Sequence, residues 1–323
     1  MTIGIESVAT YLPENRRNNL ERLAEFETDE TFLREKLGIL EIAVASETEQ
    51  AADMCAQAFR KLETKLGALD RGAIDAVVVV TQTPGENIPH VSAEVHGQLE
   101  LGSECACFDV SLGCSGYVYG LNILKSLMEA NGYEKGLLFT ADPYSKIVDS
   151  SDKNTSLLFG DAATVTVLSR HAQFTIGRST AHTMGKEYNH LTTRGGILQM
   201  NGRAVFNFCA REVPADIRKA AEINGVALDS IDRFLLHQGS RFIVETIADR
   251  LDLPREKVAF GIEHYGNTVS SSIPLLLESE LENSEARQLM ISGFGVGLSW
   301  ASTILTRRKH PIQEHSQITK DED

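Results

Sequence analysis

From Ile74 to Val80 the chain reads Ile-Asp-Ala-Val-Val-Val-Val, an almost unbroken β-branched run. A strand with one wet face alternates apolar and polar residues, so a continuous run predicts a strand covered on both faces. Ahead of it, Glu49 to Leu66 is spaced as an amphipathic helix, with Ala52, Cys55, Phe59, Leu62 and Leu66 on one stripe and Gly67 at its end. His90 to Leu101 reads as a further helix, and Lys135–Ala141 and Ala162–Ser169 as further strands. Short helices are expected at Asn18–Phe26 and Asp29–Leu37, the second stopped by Gly38. Alternating strands and helices of this kind predict an α/β protein, a largely parallel sheet layered with helices.

The second half repeats the first in miniature. Ala68-Leu69-Asp70, Ile74-Asp75 and a buried strand are echoed by Ala227-Leu228-Asp229, Ile231-Asp232 and Phe234-Leu235-Leu236. Each copy follows an amphipathic helix, Glu49–Leu66 in one and Val205–Ile223 in the other. We therefore expect two similar halves, 1–170 and 171–306, followed by a polar, frayed tail at 307–323.

At 323 residues, with 42% hydrophobic and 24% charged residues, the chain can bury a large core and reads as an ordinary soluble globular protein. No apolar run approaches the ~20 residues that span a bilayer, so no membrane partner is expected. Thr2 to Val8 reads as a strand and not as a signal peptide, which points to the cytoplasm. A net charge of −14 argues against nucleic acid. The five cysteines, at 55, 105, 107, 114 and 209, include no CxxC pair, so neither a metal site nor a redox dithiol nor a disulfide framework is expected.

One cysteine stands out. Cys105 to Val110 reads as a short buried strand, and Val118, Leu121, Ile123, Leu124, Leu127 and Met128 are spaced for a helix. Gly113-Cys114-Ser115-Gly116 joins them as a tight turn with a thiol at its apex. A thiol near a helix N-terminus is expected to lean toward thiolate, the form that attacks carbonyl carbon. Leu112 occupies the place of the first glycine in the hydrolase nucleophile elbow, so that motif is absent.

Three polar stretches follow. His237-Gln238-Gly239-Ser240 ends a buried strand; Tyr265-Gly266-Asn267-Thr268 precedes a helix start; Gly293-Phe294-Gly295-Val296-Gly297 is a bend between two strands where backbone can approach a ligand. Singly, a cap, a core histidine and a bare turn would explain them.

Together with Cys114, and in this order, they resemble the β-ketoacyl-acyl-carrier-protein synthase III family of the thiolase superfamily. The likeness runs from Tyr11-Leu12-Pro13 through Phe159-Gly160-Asp161-Ala162 to Gly297-Leu298-Ser299-Trp300. It implies a duplicated five-layer αβαβα fold, a homodimer, and a catalytic set of Cys114, His237 and Asn267. It also implies an oxyanion hole from the backbone N–H groups of Cys114 and Val296, and substrate contacts at Phe32, Ile88, Lys153, Phe206 and Gly295. No cofactor is implied; acyl-CoA and malonyl-acyl-carrier protein are the expected substrates, with acyl carrier protein as partner. The residue types suit that chemistry. A thiolate holds the acyl group covalently. An imidazole and an amide donate to an enolate, each donor contributing about 2.7–4 kcal/mol in the transition state.

The chain also departs from the family. The usual His-Gln-Ala-Asn is His-Gln-Gly-Ser, and a Trp and Arg that resemble a clamp on the coenzyme A adenine are replaced by Phe32 and Lys153. Phe242 and Asp249 fall where basic contacts to the carrier are common, leaving Arg211, Arg218, Lys219, Arg241 and Arg250 as a shifted patch. The alternatives are an acyltransferase that moves the acyl group to a hydroxyl or amine, a non-decarboxylating condensation with Glu86 as base, and an inactive dimer partner. Retention of Asn267 favours decarboxylative condensation.

Overall fold

The computed structural model describes residues 2–308. In chain order its first half comprises β1 (Gly4–Tyr11), β2 (Arg16–Asn18), β3 (Glu41–Ala43), α1 (Ala51–Leu66), β4 (Ala76–Val80), α2 (Val91–Gln98), β5 (Ala106–Val110), α3 (Gly116–Asn131), β6 (Lys135–Ala141), α4 (Lys153–Ser156) and β7 (Ala163–Ser169). There follow β8 (Phe174–Ile176), β9 (His182–Thr183), β10 (Leu191–Arg194), β11 (Ile197–Met200), α5 (Gly202–Ile223), β12 (Arg233–Leu236), α6 (Arg241–Arg250), α7 (Ser272–Glu282), β13 (Gln288–Gly295) and β14 (Ser299–Arg307).

The main sheet runs β12-β13-β14-β8-β1-β7-β6-β4-β5, with β9 added on β14. The four valines and one alanine of β4 are all buried, as a strand covered on both faces requires. It pairs in parallel with both β5 and β6. The sheet bends into two halves that meet where Gly4 and Ile5 of β1 pair with Thr175 and Phe174 of β8. Helices α3 and α7 lie between the halves: α3 touches β4 and β6 on one side and β13 and β14 on the other, and α7 touches β1 and β7 as well as β12 and β13. Helix α1 covers the outside of one half and α5 the other, giving five αβαβα layers. Burying Phe59 and Leu62 of α1 holds the first outer layer; truncating such a residue to Ala costs about 2–5 kcal/mol.

The internal repeat has a physical counterpart. After α1 and α5 the chain makes a short 3-10 turn, Arg71–Ala73 and Leu228–Ser230 respectively, and enters β4 and β12. Asp75 Oδ2 accepts the amides of Glu134 and Lys135 at 2.8 and 3.0 Å, at the start of β6. Asp232 Oδ2 does the same for Arg287 and Gln288 at 2.7 and 2.8 Å, at the start of β13.

Several expectations are corrected. The sheet is mixed and not largely parallel: β4 with β5 and β6, and β12 with β13, are parallel, while β1 with β7 and β8, β6 with β7, and β14 with β13, β8 and β9 are antiparallel. Asn18 belongs to β2, and only Leu20–Arg22 of the first expected helix is helical, as one 3-10 turn. The second is a wider π turn, Phe32–Leu37, ended by Gly38 in the left-handed region. Cys105 precedes its strand, and β5 is half-buried at the end of the sheet and not a buried central strand. His90 caps α2 from outside it, and Leu66 is exposed. Arg307 closes β14, and the Arg308 amide donates to Gln173 carbonyl, so both are tied down; 309–323 of the expected tail lie outside the described residues. Among the described residues no helix is long and apolar enough to cross a membrane.

Candidate active site

Cys114 sits between β5 and α3, and its side chain is buried. The turn is packed on three sides. A Cβ on Gly293 would lie 2.7 Å from the Cys114 carbonyl oxygen, and one on Gly295 would lie 2.8 Å from Sγ. The glycines of β13 are therefore the condition for the sheet to pass this close to the thiol. Burial pushes the Cys114 thiol up to about 12, with the charge of Asp142 adding to it; backbone hydrogen bonds from Val296 and Cys114 itself oppose the rise. The expected lean toward thiolate does not hold in the substrate-free protein, because loss of water outweighs the helix end.

His237 follows β12, its backbone N–H donating to Ser292 carbonyl at 2.8 Å. The ring is buried, edge-on to Phe294 with centroids 5.5 Å apart, and Nδ1 lies 2.8 Å from Ser272 Oγ at the start of α7. Burial lowers its pKa to about 3, partly offset by a backbone hydrogen bond with Val269, so the imidazole is neutral.

Asn267 is held by its own neighbours. Its N–H donates to Leu158 carbonyl at 2.9 Å and its carbonyl accepts from Gly160 at 3.0 Å. A Cβ on Gly160 would come within 1.9 Å of the Tyr265 oxygen, so only glycine allows this pairing. The side-chain Oδ1 accepts from Val269 N–H at 3.0 Å. Its Nδ2 has no hydrogen-bond partner among the described residues and is left as a donor.

One cavity of about 330 Å³ gathers Cys114, His237 and Asn267, and with them Phe32, Lys153, Phe206 and Gly295. Lys153 Nζ lies 4.8 Å from the Phe32 ring centre, and Lys36 Nζ 4.3 Å from that of Phe242, which stacks on Phe206 at 4.9 Å. Two cation–aromatic pairs thus line this cavity. Val296 faces a second space of about 290 Å³, whose lining includes Gln82, Tyr144, Leu191 and Leu198; Leu191 lines both. Ile88 lines neither of these cavities and is 89% exposed. Of the expected basic patch, Arg211 pairs with Glu212 and Lys219 with Glu222, while Lys36, Lys153 and Arg203 line the cavity that holds Cys114.

Sequence reasoning passed over a buried carboxylate. Asp142 follows β6 and accepts from the Gln82 amide at 2.8 Å and from Ser270 Oγ, three residues after Asn267. Burial raises its pKa to about 6. Gln82 Oε1 in turn accepts from Tyr144 at 3.0 Å. The available signal was position: like His237, Asp142 directly follows a buried strand. Ser270, Ser271 and Ser272, which follow Asn267, are all buried.

A buried cysteine on a strand-to-helix turn, facing a neutral imidazole and a free amide donor inside five αβαβα layers, defines an acyltransferase of the thiolase-like class. Models of 3-oxoacyl-[acyl-carrier-protein] synthase III match residues 108–185 and, for its C-terminal part, residues 221–307. The β-ketoacyl-[acyl-carrier-protein] synthase III of Streptococcus equi subsp. equi is 32% identical over 93% of this chain and 98% of its own. A crystal structure of a 3-oxoacyl-(acyl-carrier-protein) synthase III superposes with a TM-score of 0.89 at 32% identity, covering 95% of this chain and 100% of that one. The priming β-ketosynthase of a polyketide biosynthetic pathway gives 0.87 at 26% identity, over 96% of this chain and 97% of the other. The chain belongs to the 3-oxoacyl-acyl-carrier-protein synthase III family.

Proposed function

We propose that this protein condenses an acyl thioester with a malonyl thioester, losing CO₂ and giving a 3-oxoacyl product. The observation that carries this reading is the free Nδ2 of Asn267 in the same cavity as Cys114 and His237. Cys114 sulfur attacks the acyl carbonyl and the donor thiol leaves with the proton. The backbone amides of Val296 and Cys114, which oppose the rise of the thiol's pKa, would hold the oxyanion. A malonyl thioester then enters; its carboxyl carbon–carbon bond breaks, CO₂ departs, and the electron pair forms an enolate. Asn267 Nδ2 donates to that oxygen. Nδ1 of His237 is within hydrogen-bond distance of Ser272 Oγ, and we assign the ring proton to Nε2, with Ser272 as donor to Nδ1, so that His237 donates to the enolate as well. The enolate carbon attacks the acyl group and the Cys114 thiolate is expelled. Thiol, amide and imidazole suffice for each step, so the reaction as we read it calls for no cofactor or metal, and we assign it to the cytoplasm.

Phe32 with Lys153, and Phe206 with Phe242 and Lys36, would guide the arm that carries the thioester, and Arg203 with these lysines would meet an acidic acyl carrier protein. The space around Tyr144, Leu191 and Leu198 would take the acyl chain. We further propose a homodimer joined at the free edge of β5, with the partner's loop carrying Ile88 over that space. All five β5 residues are half-buried, as an apolar edge awaiting cover would be. The test is mass spectrometry after incubation with a panel of acyl thioesters, then with malonyl-carrier protein. Acyl mass on the Cys114 peptide that is discharged as 3-oxoacyl product supports the reading. Discharge to a hydroxyl or amine without CO₂ release would replace it with plain acyl transfer.

A further inference from the structure

Gln82, Ser111 and Tyr144 leave the carboxyl ends of three neighbouring parallel strands. β4 pairs with β5 and β6 so that Val80 lies opposite Val110 and Thr140, and each chain runs on from there into its polar residue. Ligands of parallel α/β sheets bind at such strand ends. All three residues line the space of about 290 Å³ beside Val296, together with Ile147, Leu191 and Leu198. Half of this wall is polar.

The head of Gln82 is fixed close to the nucleophile. A Cβ on Gly113 would meet Gln82 Oε1 at 2.5 Å and Val296 Cγ1 at 2.6 Å, so the amide lies against the residue that precedes Cys114. The Gln82 backbone N–H donates to Asp142 Oδ1 at 2.8 Å, and Tyr144 Oη donates to Gln82 Oε1 at 3.0 Å. Burial pushes the Tyr144 hydroxyl well above its ordinary value, with Asp142 and Cys114 adding to the rise, so it keeps the proton it donates. With Oε1 engaged, Gln82 Nε2 has no hydrogen-bond partner among the described residues and is left as a donor.

A plain hydrocarbon chain suits such a wall poorly. Solvent can serve Nε2 while the space is open, but an apolar chain would strip that solvent away. A desolvated donor left unpaired costs more than an ordinary hydrogen bond contributes. A carboxylate suits it no better. Among the described residues no charged side chain lines the space, and Asp142, with a pKa of about 6, is ionised at neutral pH and would repel an anion. A neutral oxygen with free lone pairs matches both conditions.

We propose, on the reading that this space takes the acyl chain, that the acyl group carries a hydroxyl, keto or ether oxygen a few carbons from the thioester, held by Gln82 Nε2.

The probes are acyl groups matched in size: 3-hydroxybutyryl against 3-methylbutyryl, and methoxypropionyl against pentanoyl, with succinyl as the charged member. Each is offered on coenzyme A and on acyl carrier protein, and acylation of Cys114 is timed by mass. In the parent, the better oxygenated group should outpace its hydrocarbon match by about 10–100-fold, and succinyl should be slowest. Gln82→Leu, close in volume, should bring that ratio to parity or reverse it, speeding the hydrocarbon and slowing the oxygenated group. Tyr144→Phe frees Oε1 and lets the amide turn, and it should narrow the ratio even if Gln82→Leu folds poorly. A hydrocarbon group taken by the parent as fast as its match, a ratio that survives both variants, or a preference for succinyl would overturn the inference. Normal condensation of the hydrocarbon groups would then leave the proposed reaction standing. If no member of the series reaches Cys114, the condensation reading falls and this inference with it.

Discussion

The side-chain oxygen of Asn267 accepts the amide of Val269 at 3.0 Å, and Val269 itself sits at φ +53°, a backbone conformation that a β-branched residue rarely adopts. A strained position two residues from a site persists only where the surroundings over-determine it. The cap spends one end of the amide on the loop and leaves the other for the substrate. Asn267→Asp should therefore keep the acceptor and the loop while removing the donor. We expect acylation of Cys114 near the parent rate and decarboxylation of malonyl thioester reduced about 10²–10³-fold. Asn267→Ala should lose the cap as well and cost stability in addition. Stopped acylation assays with and without malonyl-carrier protein separate the two steps; normal decarboxylation by the Asp variant would remove Asn267 from the enolate.

Buried His237 and Asp142 make opposite contributions to acid stability. His237 has a folded pKa of about 3 against an ordinary 6.5, so the unfolded chain binds the extra proton and stability falls as pH drops through that window. Asp142 has a folded pKa of about 6 against 3.8, so the folded chain binds the extra proton and stability rises as pH falls between those values. The two offset one another from about pH 6 to about 4. Asp142→Asn removes the offset, and its stability should fall more steeply on acidification over this range, by up to about 1.4 kcal/mol per pH unit. Urea unfolding at a series of pH values measures the difference in slope; parallel curves for parent and variant would contradict it.

The thiol of Cys114, pushed up to about 12, should be slow to alkylate at neutral pH. Its rate with iodoacetamide should rise about tenfold per unit from pH 7 to 9, following the thiolate fraction. Because the charge of Asp142 adds to the rise, Asp142→Asn should alkylate faster than the parent between pH 7 and 9, where the parent carboxyl is ionised. A rate already flat at neutral pH would mean that the thiol is ionised in the free protein.

Gly295→Ala would put a methyl 2.8 Å from Cys114 Sγ. It would also lie 2.8 Å from Cys114 Cβ, so the sheet or the turn has to shift, and we expect a loss of stability together with almost complete loss of acylation. Binding of a non-hydrolysable acyl-CoA analogue at the cavity mouth, followed calorimetrically, should survive. Parent-like acylation would show that the sheet can retreat from the thiol.

Ile88, 89% exposed in the single chain, is assigned to the partner's acyl space. Ile88→Trp should shorten the preferred acyl chain and Ile88→Ala should admit longer or branched ones. An unchanged chain-length profile in both variants, measured as acylation rates, removes Ile88 from that role.

The elements legible in the sequence were those whose pattern is local. The valines of β4 and the apolar stripe of α1 dictate their own structure, whereas Cys114, His237 and Asn267 stand out only as an ordered set and through the family resemblance that set carries. The thiol's ionisation was misjudged because it depends on how completely β13 covers the turn, a distance between residues some 180 positions apart along the chain. Of Asp142 only the place at a strand end is legible; its partners Gln82 and Ser270 come from loops distant on either side in sequence. The position of β5 at the edge follows from topology, which a run of apolar residues does not encode.

The place of β14 has a consequence for biosynthesis. Its residues, Ser299–Arg307, are the last of the described elements to leave the ribosome, yet they lie mid-sheet between β13 and β8. Until they emerge, β12 and β13 have no link to the rest of the sheet, and the bend at Gly295–Gly297 cannot close over Cys114. A product released before Arg307 would therefore leave β12 and β13 without backbone pairing to β8, as two unjoined half-sheets.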